Sequence, residues 1–219
     1  MIVLSRRLKE IASLVDPEAI LVDVGADHGK LLIYLRQHRI IAKGYGVENK
    51  MGPYLVLSNN LVKSQFTNLH AIYQNGIASL PEDADTLVLA GLGGEAIIGI
   101  LDAGREHLKQ IKVIIVDAHR SLERVRRFVV NIGYRITEEK IIKERGIYYS
   151  LVKFHQTPSK VTYSDFEYRY GPIIIKDPLF KSYAHEQITK MDDLLKSNLP
   201  EEIRNRTFKE REALKPYEN

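Results

Sequence analysis

Ile20-Leu21-Val22-Asp23-Val24-Gly25-Ala26-Asp27-His28-Gly29 is the stretch on which the fold of this 219-residue chain turns. Its first five residues are apolar apart from Asp23, the pattern of a strand covered on both faces. Gly25 and Gly29 let the backbone reverse sharply, and a helical pattern begins near Lys30. A strand, a glycine turn and a helix in that order open a parallel sheet. The turn lies at the edge where such sheets bind ligands.

Outward from this unit the same alternation repeats. Apolar runs at residues 20–24, 44–47, 69–73, 86–90 and 113–116 predict five strands, each read as buried on both faces. Helical stretches such as 30–37 and 122–130 lie between them. The second places Val125, Phe128 and Val129 on one face and Arg124, Arg126 and Arg127 largely elsewhere. After Gly133 the rhythm changes. Residues 134–142 and 147–154 are joined only by Lys143-Glu144-Arg145-Gly146, too short for a crossover helix, which predicts a hairpin. From Thr157 onward Pro158, Pro172 and Pro178 punctuate the chain. Two helical stripes follow, one through Phe180, Tyr183, Ile188, Met191, Leu194, Leu195 and Leu199, the other through Ile203, Phe208 and Leu214. Pro200, with Glu201 and Glu202 behind it, restarts the chain as a second helix, so the two fold back as an antiparallel pair.

Composition narrows the possibilities. With 44% hydrophobic residues the chain can bury one sizeable core plus an appendage. It has no cysteine, which excludes disulfides and thiolate metal sites. No apolar run approaches the roughly 18 residues of a membrane span, and the N-terminus carries no signal-like run. A cytoplasmic protein without a membrane partner is expected. The seven histidines form no His-x-x-x-His or His/carboxylate cluster, so no metal is expected, and no nucleophile elbow supports hydrolysis. Net charge is +4, but unevenly spread. Residues 101–160 hold 13 Lys and Arg against 7 Asp and Glu, whereas residues 51–100 hold 1 against 4. A basic third beside an acidic one suits a polyanionic partner.

The motifs specify the ligand more closely. A diphosphate favours backbone N–H donors and avoids acids. The first loop instead carries Asp23 and Asp27, which repel phosphate and attract the sulfonium and amino group of S-adenosylmethionine. Glu48, in Gly46-Val47-Glu48-Asn49, lies 23 positions after Gly25, near the roughly 20-residue offset at which an acid meets ribose hydroxyls. Asn75-Gly76-Ile77 follows the third strand as a turn able to present polar groups to an adenine edge. Ala90-Gly91-Leu92-Gly93-Gly94 follows the fourth, its glycines allowing close approach of a bulky ligand. The expected cofactor-binding set is therefore Asp23, Gly25, Ala26, Asp27, His28, Gly29, Glu48, Asn49, Asn75, Gly76, Ile77, Ala90, Gly91, Gly93 and Gly94. The Asp/Asn-Pro-Pro-Tyr/Phe motif that serves exocyclic amines is absent after the fourth strand. A ring nitrogen, whose lone pair is already free, is the favoured acceptor, and positioning then carries most of the barrier reduction. Asp27 and His28 are the candidate catalytic residues within the loop.

Several of these segments resemble bacterial tRNA (adenine-22-N1)-methyltransferases. They are Leu4-Ser5-Arg6-Arg7-Leu8-Lys9-Glu10-Ile11-Ala12-Ser13-Leu14-Val15, the first glycine loop, the Ala90–Gly94 run and Tyr170-Gly171-Pro172. The last two resemble the family's Ala-Gly-Met-Gly-Gly and Phe-Gly-Pro. The resemblance runs over essentially the whole chain. It implies an α/β, Rossmann-like class I methyltransferase domain over residues 1–156, with five parallel strands plus an antiparallel hairpin. Over residues 157–219 it implies a C-terminal α-helical coiled-coil hairpin that helps to hold tRNA. It implies S-adenosylmethionine as cofactor and direct in-line methyl transfer to N1 of adenine 22, in the D-arm region. Arg6, Arg7, Lys9, Arg124, Arg127, Lys143 and Arg145 are the expected tRNA-binding residues, with Arg126 and Lys140 on the same surface. The chain departs from the family at Asp117-Ala118-His119, where Gln-Pro-Asn is frequent, and at Gly29, where alanine is frequent. A monomer is expected. The rival readings are a methyltransferase of another RNA or a small molecule, and an RNA-binding module that kept the fold without catalysis. Nicotinamide redox chemistry would need a loop more tolerant of phosphate than one carrying Asp27.

Overall fold

The computed structural model describes residues 2–218. A short helix α1 (Arg6–Ala12) opens it, capped by the Ser5 hydroxyl, which accepts from the Leu8 N–H. Strands and helices then alternate as β1 (Ala19–Val24), α2 (Lys30–Gln37), β2 (Ile41–Glu48), α3 (Met51–Ser64), β3 (Leu69–Tyr73), β4 (Thr86–Leu92), α4 (Gly94–Ala103), β5 (Val113–Ala118) and α5 (Leu122–Asn131). The hairpin is β6 (Tyr134–Glu144) and β7 (Ile147–Gln156). Three helices end the chain: α6 (Asp165–Tyr170), α7 (Pro178–Leu195) and α8 (Glu201–Leu214).

The seven strands form one sheet in the order β3-β2-β1-β4-β5-β7-β6. β1 to β5 are parallel, and β7 runs antiparallel between β5 and β6. This is the expected layout, and each expected strand lies within an observed one. Alternate side chains go to opposite faces. Leu21, Val88 and Ile115 pack beneath Ile11, Leu32, Leu35 and Leu57 of the first three helices. Val22, Leu87 and Ile114 pack against Ile97, Leu101, Val125 and Val129 of α4 and α5. All parallel strands therefore end along one carboxyl edge, and the loops that follow them gather there.

Three expectations are corrected. β3 is not buried on both faces: it is the outer strand with a single neighbour, and Tyr73 is exposed. The α8 stripe is only partly the expected one: Leu214 is buried as expected, but Phe208 and Ile203 are exposed, Phe208 by 56%, while Thr207 is buried. The seam runs through Thr207, Glu210, Arg211 and Leu214, with Arg211 reaching Asp192 of α7 at 3.1 Å. A polar seam of this kind has little apolar periodicity to show in sequence. Finally, Arg126 is not on a phosphate-contact surface.

Arg126 is 1% exposed and donates through Nε to Glu139 at 2.9 Å. Its Nη1 donates to the carbonyls of Tyr168 and Arg169, each at 3.1 Å. Glu139 also accepts from the Ile173 and Ile174 N–H groups at 2.9 and 3.3 Å. A buried pair satisfied in this way fixes geometry more than it adds stability. Here it joins α5 and β6 to the chain around Gly171. Gly171 has φ +100°, and a Cβ on it would lie 2.5 Å from both Glu139 carboxylate oxygens. The Tyr-Gly-Pro motif is thus a close approach over a buried ion pair. Beyond it Ile141, Tyr170, Ile174, Phe180, Ile188 and Leu214 form a separate small core that seats the helical segment on the hairpin. Among the described residues no helix is long and apolar enough to cross a membrane.

Candidate active site

The first glycine loop is tied down by its own backbone. Gly25 and Ala26 donate to the Val47 carbonyl at 2.9 and 3.3 Å, and Gly29 donates to the Ala26 carbonyl at 2.8 Å. Gly25, Asp27 and Gly29 all have positive φ, at +76°, +51° and +69°. For Asp27 that left-handed conformation is uncommon but tolerated by its short polar side chain. Its N–H donates to Glu48 Oε1 at 2.6 Å, so the acid at the end of β2 already buttresses the loop. The Asp27 side chain is 78% exposed, with His28 Nε2 at 3.5 Å.

Asp23 sits beneath this loop and is 5% exposed. Burial, then the charges of Glu48 and Asp27, push its carboxyl up to about 7. Asp23 and Glu48, both buried, and the exposed Asp27 bring three acids together at this edge, an arrangement that suits a cationic ligand. A cleft of about 240 Å³ opens over Asp23 and Asp27, lined also by Gly25, Ala26 and His28 of the loop, Lys30 of α2, Ala90 and Gly91 after β4, and Arg7 of α1.

The remaining expected residues divide. Asn49 and Asn75 meet along the same edge, Asn49 Nδ2 donating to Asn75 Oδ1 at 3.3 Å. The turn holding Asn75 and Gly76 is fixed by Gln74, which donates to the Gly76 and Ser79 carbonyls at 3.0 and 2.8 Å. The Ile77 side chain lies in the main core, leaving only its main chain to face a ligand. Gly93 has open space beside it, but Gly94 has a packing reason of its own. Its N–H donates to the Arg120 carbonyl at 3.1 Å, and a Cβ there would stand 2.5 Å from that oxygen.

One pair was not foreseen. Arg7 Nη1 meets Asp117 Oδ2 at 2.8 Å, at the end of β5. Asp117 is 1% exposed, and its other oxygen, Oδ1, is buried without a hydrogen-bond partner among the described residues. Burial raises the Asp117 carboxyl above its ordinary value, against the pull of Arg7, His119 and the Gly91 main chain. The Arg7 guanidinium also stands 5.2 Å from the Tyr149 ring centroid. The signal was in the sequence: alternation that buries Val113 and Ile115 under α1 sends Asp117 to the same face.

The other expected tRNA-binding residues fall into two places. Arg6, Lys143 and Arg145 come together because the start of α1 abuts the hairpin turn, Arg6 donating to the Lys143 carbonyl at 3.3 Å. Lys143 is paired with Glu186 of α7. On α5, Arg124 pairs with Glu95 and Arg127 with Glu123 and Asp165. Arg6, Lys9 and Arg145 are exposed, and among the described residues none has a carboxylate partner for its side chain.

Comparison with known proteins agrees with this geometry. Residues 4–152 match the family model described as a methyltransferase domain. The chain is 26% identical over 151 residues to the tRNA (adenine(22)-N(1))-methyltransferase of Bacillus subtilis (strain 168), covering 68% of this chain and 63% of that protein. It is 31% identical over 169 residues to a candidate tRNA methyltransferase of Mycoplasma pneumoniae, covering 73% of this chain and 75% of that one. Among solved structures it superposes on a candidate tRNA (m1A22) methyltransferase of Streptococcus pneumoniae in complex with S-adenosyl-L-methionine, with TM-score 0.90 and 26% identity. That match covers 99% of this chain and 100% of the other. A β1 loop that gathers acids, a sheet of this order and these likenesses lead to one conclusion: the chain belongs to the methyltransferase-domain family, and its likenesses within that family are to tRNA methyltransferases.

Proposed function

We propose that this protein transfers a methyl group from S-adenosylmethionine to N1 of adenine 22 in tRNA. The acid-lined cleft at the ends of β1 and β4 carries the reading. When bound there, the cofactor supplies an electrophilic methyl carbon, to which adenine N1 gives its lone pair as the S–C pair returns to sulfur. Asp23 and Asp27 supply the negative field that a sulfonium and an ammonium need, and Glu48 accepts from the ribose hydroxyls. Gly25–Gly29 and Asn75–Ile77 hold the cofactor, and Ala90–Gly94 shape the pocket. No proton leaves N1 before attack, so no general base is required and orientation does most of the work. The product is a cationic 1-methyladenine, and Asp27 stabilises that charge, with His28 beside it. If Asp27→Asn kept both cofactor affinity and full turnover, that role would fall.

Residues 157–219 act as the helical tRNA-holding region, joined to the catalytic domain, residues 1–156, through the Arg126–Glu139 pair. The enzyme works as a monomer in the cytoplasm, with no metal. Methylation of tRNA transcripts carrying adenine or guanine at position 22, mapped by primer extension, tests the assignment. Methylation at another site, or indifference to the swap, would overturn it, and failure to bind S-adenosylmethionine by calorimetry would favour a non-catalytic RNA-binding module.

A further inference from the structure

A second cleft, of about 360 Å³, lies beyond the end of β5, between the hairpin and the helical segment. Its size falls within the roughly 300–1,000 Å³ range of small-ligand sites. His119 and Tyr149 line it near Gly91 and Arg7 of the cofactor cleft, Tyr148 and Tyr183 line it as an edge-to-face pair, and Arg120 is an exposed lining residue. Arg126 is part of its floor, and Arg126 Nη2 is a buried donor with no hydrogen-bond partner among the described residues. An unpaired buried donor is unfavourable unless something else supplies an acceptor.

The two clefts meet at Gly91 and Arg7. A Cβ on Gly91, in the cofactor cleft wall, would lie 3.8 Å from both His119 Nε2 and an Arg7 nitrogen. Arg7, lining the same cleft, stands over the Tyr149 ring. Aromatic rings beside a cofactor site, an exposed arginine and an unmatched buried donor suit an extruded purine nucleotide. Such bases are held by stacking and by hydrogen bonds to their edges.

The geometry points to this cleft as the receptor of the target adenine, with the Tyr149 ring as the surface on which the flipped base stacks. Asp117 acts on it through Arg7, as a positioning residue. Arg120 meets the backbone phosphate of the extruded nucleotide. The assignment rests on the methyl-transfer reading above and names the residues that would hold its substrate.

The test uses the full chain and tRNA transcripts with adenine or the fluorescent isomer 2-aminopurine at position 22. Tyr149→Ala is expected to lower kcat/KM roughly 10- to 100-fold, the scale of a lost base–aromatic stack. S-adenosylmethionine affinity should stay within about twofold, because Tyr149 does not line the cofactor cleft. Tyr149→Phe, which keeps the ring, should recover most of the loss. The bound 2-aminopurine should be brighter with Tyr149→Ala than with wild type, since its quencher is gone. Arg120→Ala, at an exposed position, should weaken tRNA binding and flatten its salt dependence by about one phosphate contact. Equal probe brightness, unchanged turnover, or a matching loss of cofactor affinity in Tyr149→Ala would overturn the assignment. Should the wild type leave adenine 22 unmodified, the methyl-transfer reading itself fails, and the two failures are distinct.

Discussion

Asp23→Asn should make the cofactor-free protein more stable at neutral pH while removing its function. The native carboxyl holds its proton up to about pH 7 instead of the ordinary 3.8. Between those values the folded chain binds more protons than the unfolded chain, so stability falls as pH rises. The contribution is fully present below about 3.8 and fully lost above about 7. Each pH unit between is worth about 1.4 kcal/mol, so from pH 5 to pH 8 wild type loses about 3 kcal/mol through this group. Asparagine does not titrate. The stability difference between variant and wild type should therefore shift by about 3 kcal/mol in the variant's favour over that interval. Urea denaturation without cofactor at pH 5, 6, 7 and 8 measures it directly. With S-adenosylmethionine in excess the order should reverse, because ionised Asp23 strengthens binding of a cation and ligand binding adds stability. A pH-independent difference between the two proteins would refute the reasoning.

Arg126→Met should cost about 3–5 kcal/mol, because it leaves Glu139 buried and uncompensated. The double variant Arg126→Met/Glu139→Leu should recover only part of that loss, because the 168 and 169 carbonyls and the 173 and 174 N–H groups lose their partners, as a double-mutant cycle by chemical denaturation will report. Gly171→Ala should destabilise by about 1–3 kcal/mol from backbone strain alone, with contact against Glu139 adding to it, visible as a lower thermal midpoint. Arg6→Ala with Arg145→Ala should weaken tRNA binding and reduce the slope of log affinity against log salt by about 2, measured by filter binding between low and moderate salt.

The catalytic sheet was readable because strands covered on both faces are almost wholly apolar and the glycine turn sits directly after one of them. Of four acids near the carboxyl edge of the sheet, Asp23, Asp27, Glu48 and Asp117, three were readable in their roles. The first three lie in or beside glycine motifs, whereas Asp117 gains its meaning from Arg7, 110 residues away in sequence. Arg126 was misread for a related reason. Within α5 it looks like one of three arginines, and only Glu139 and the carbonyls at 168 and 169 make a buried position tolerable. Its partner motif, Tyr170-Gly171-Pro172, was recognised without its reason, since a close approach of backbone to an ion pair leaves no periodic signature. The α8 seam was misplaced by one residue because Thr207, Glu210 and Arg211 carry it in place of aliphatic side chains.

The position of β7 between β5 and β6 also constrains the order in which a growing chain can complete its sheet. β6 is synthesised first yet has no seat, because its neighbour in the sheet is β7 and not β5. Until residue 156 has emerged, the β5 edge, with Val113–Val116 fully apolar, stays open to any extended segment. The hairpin must therefore form locally and dock as one piece. A nascent chain stalled within the turn at Arg145-Gly146 exposes an adhesive strand edge, and one released ten residues later does not.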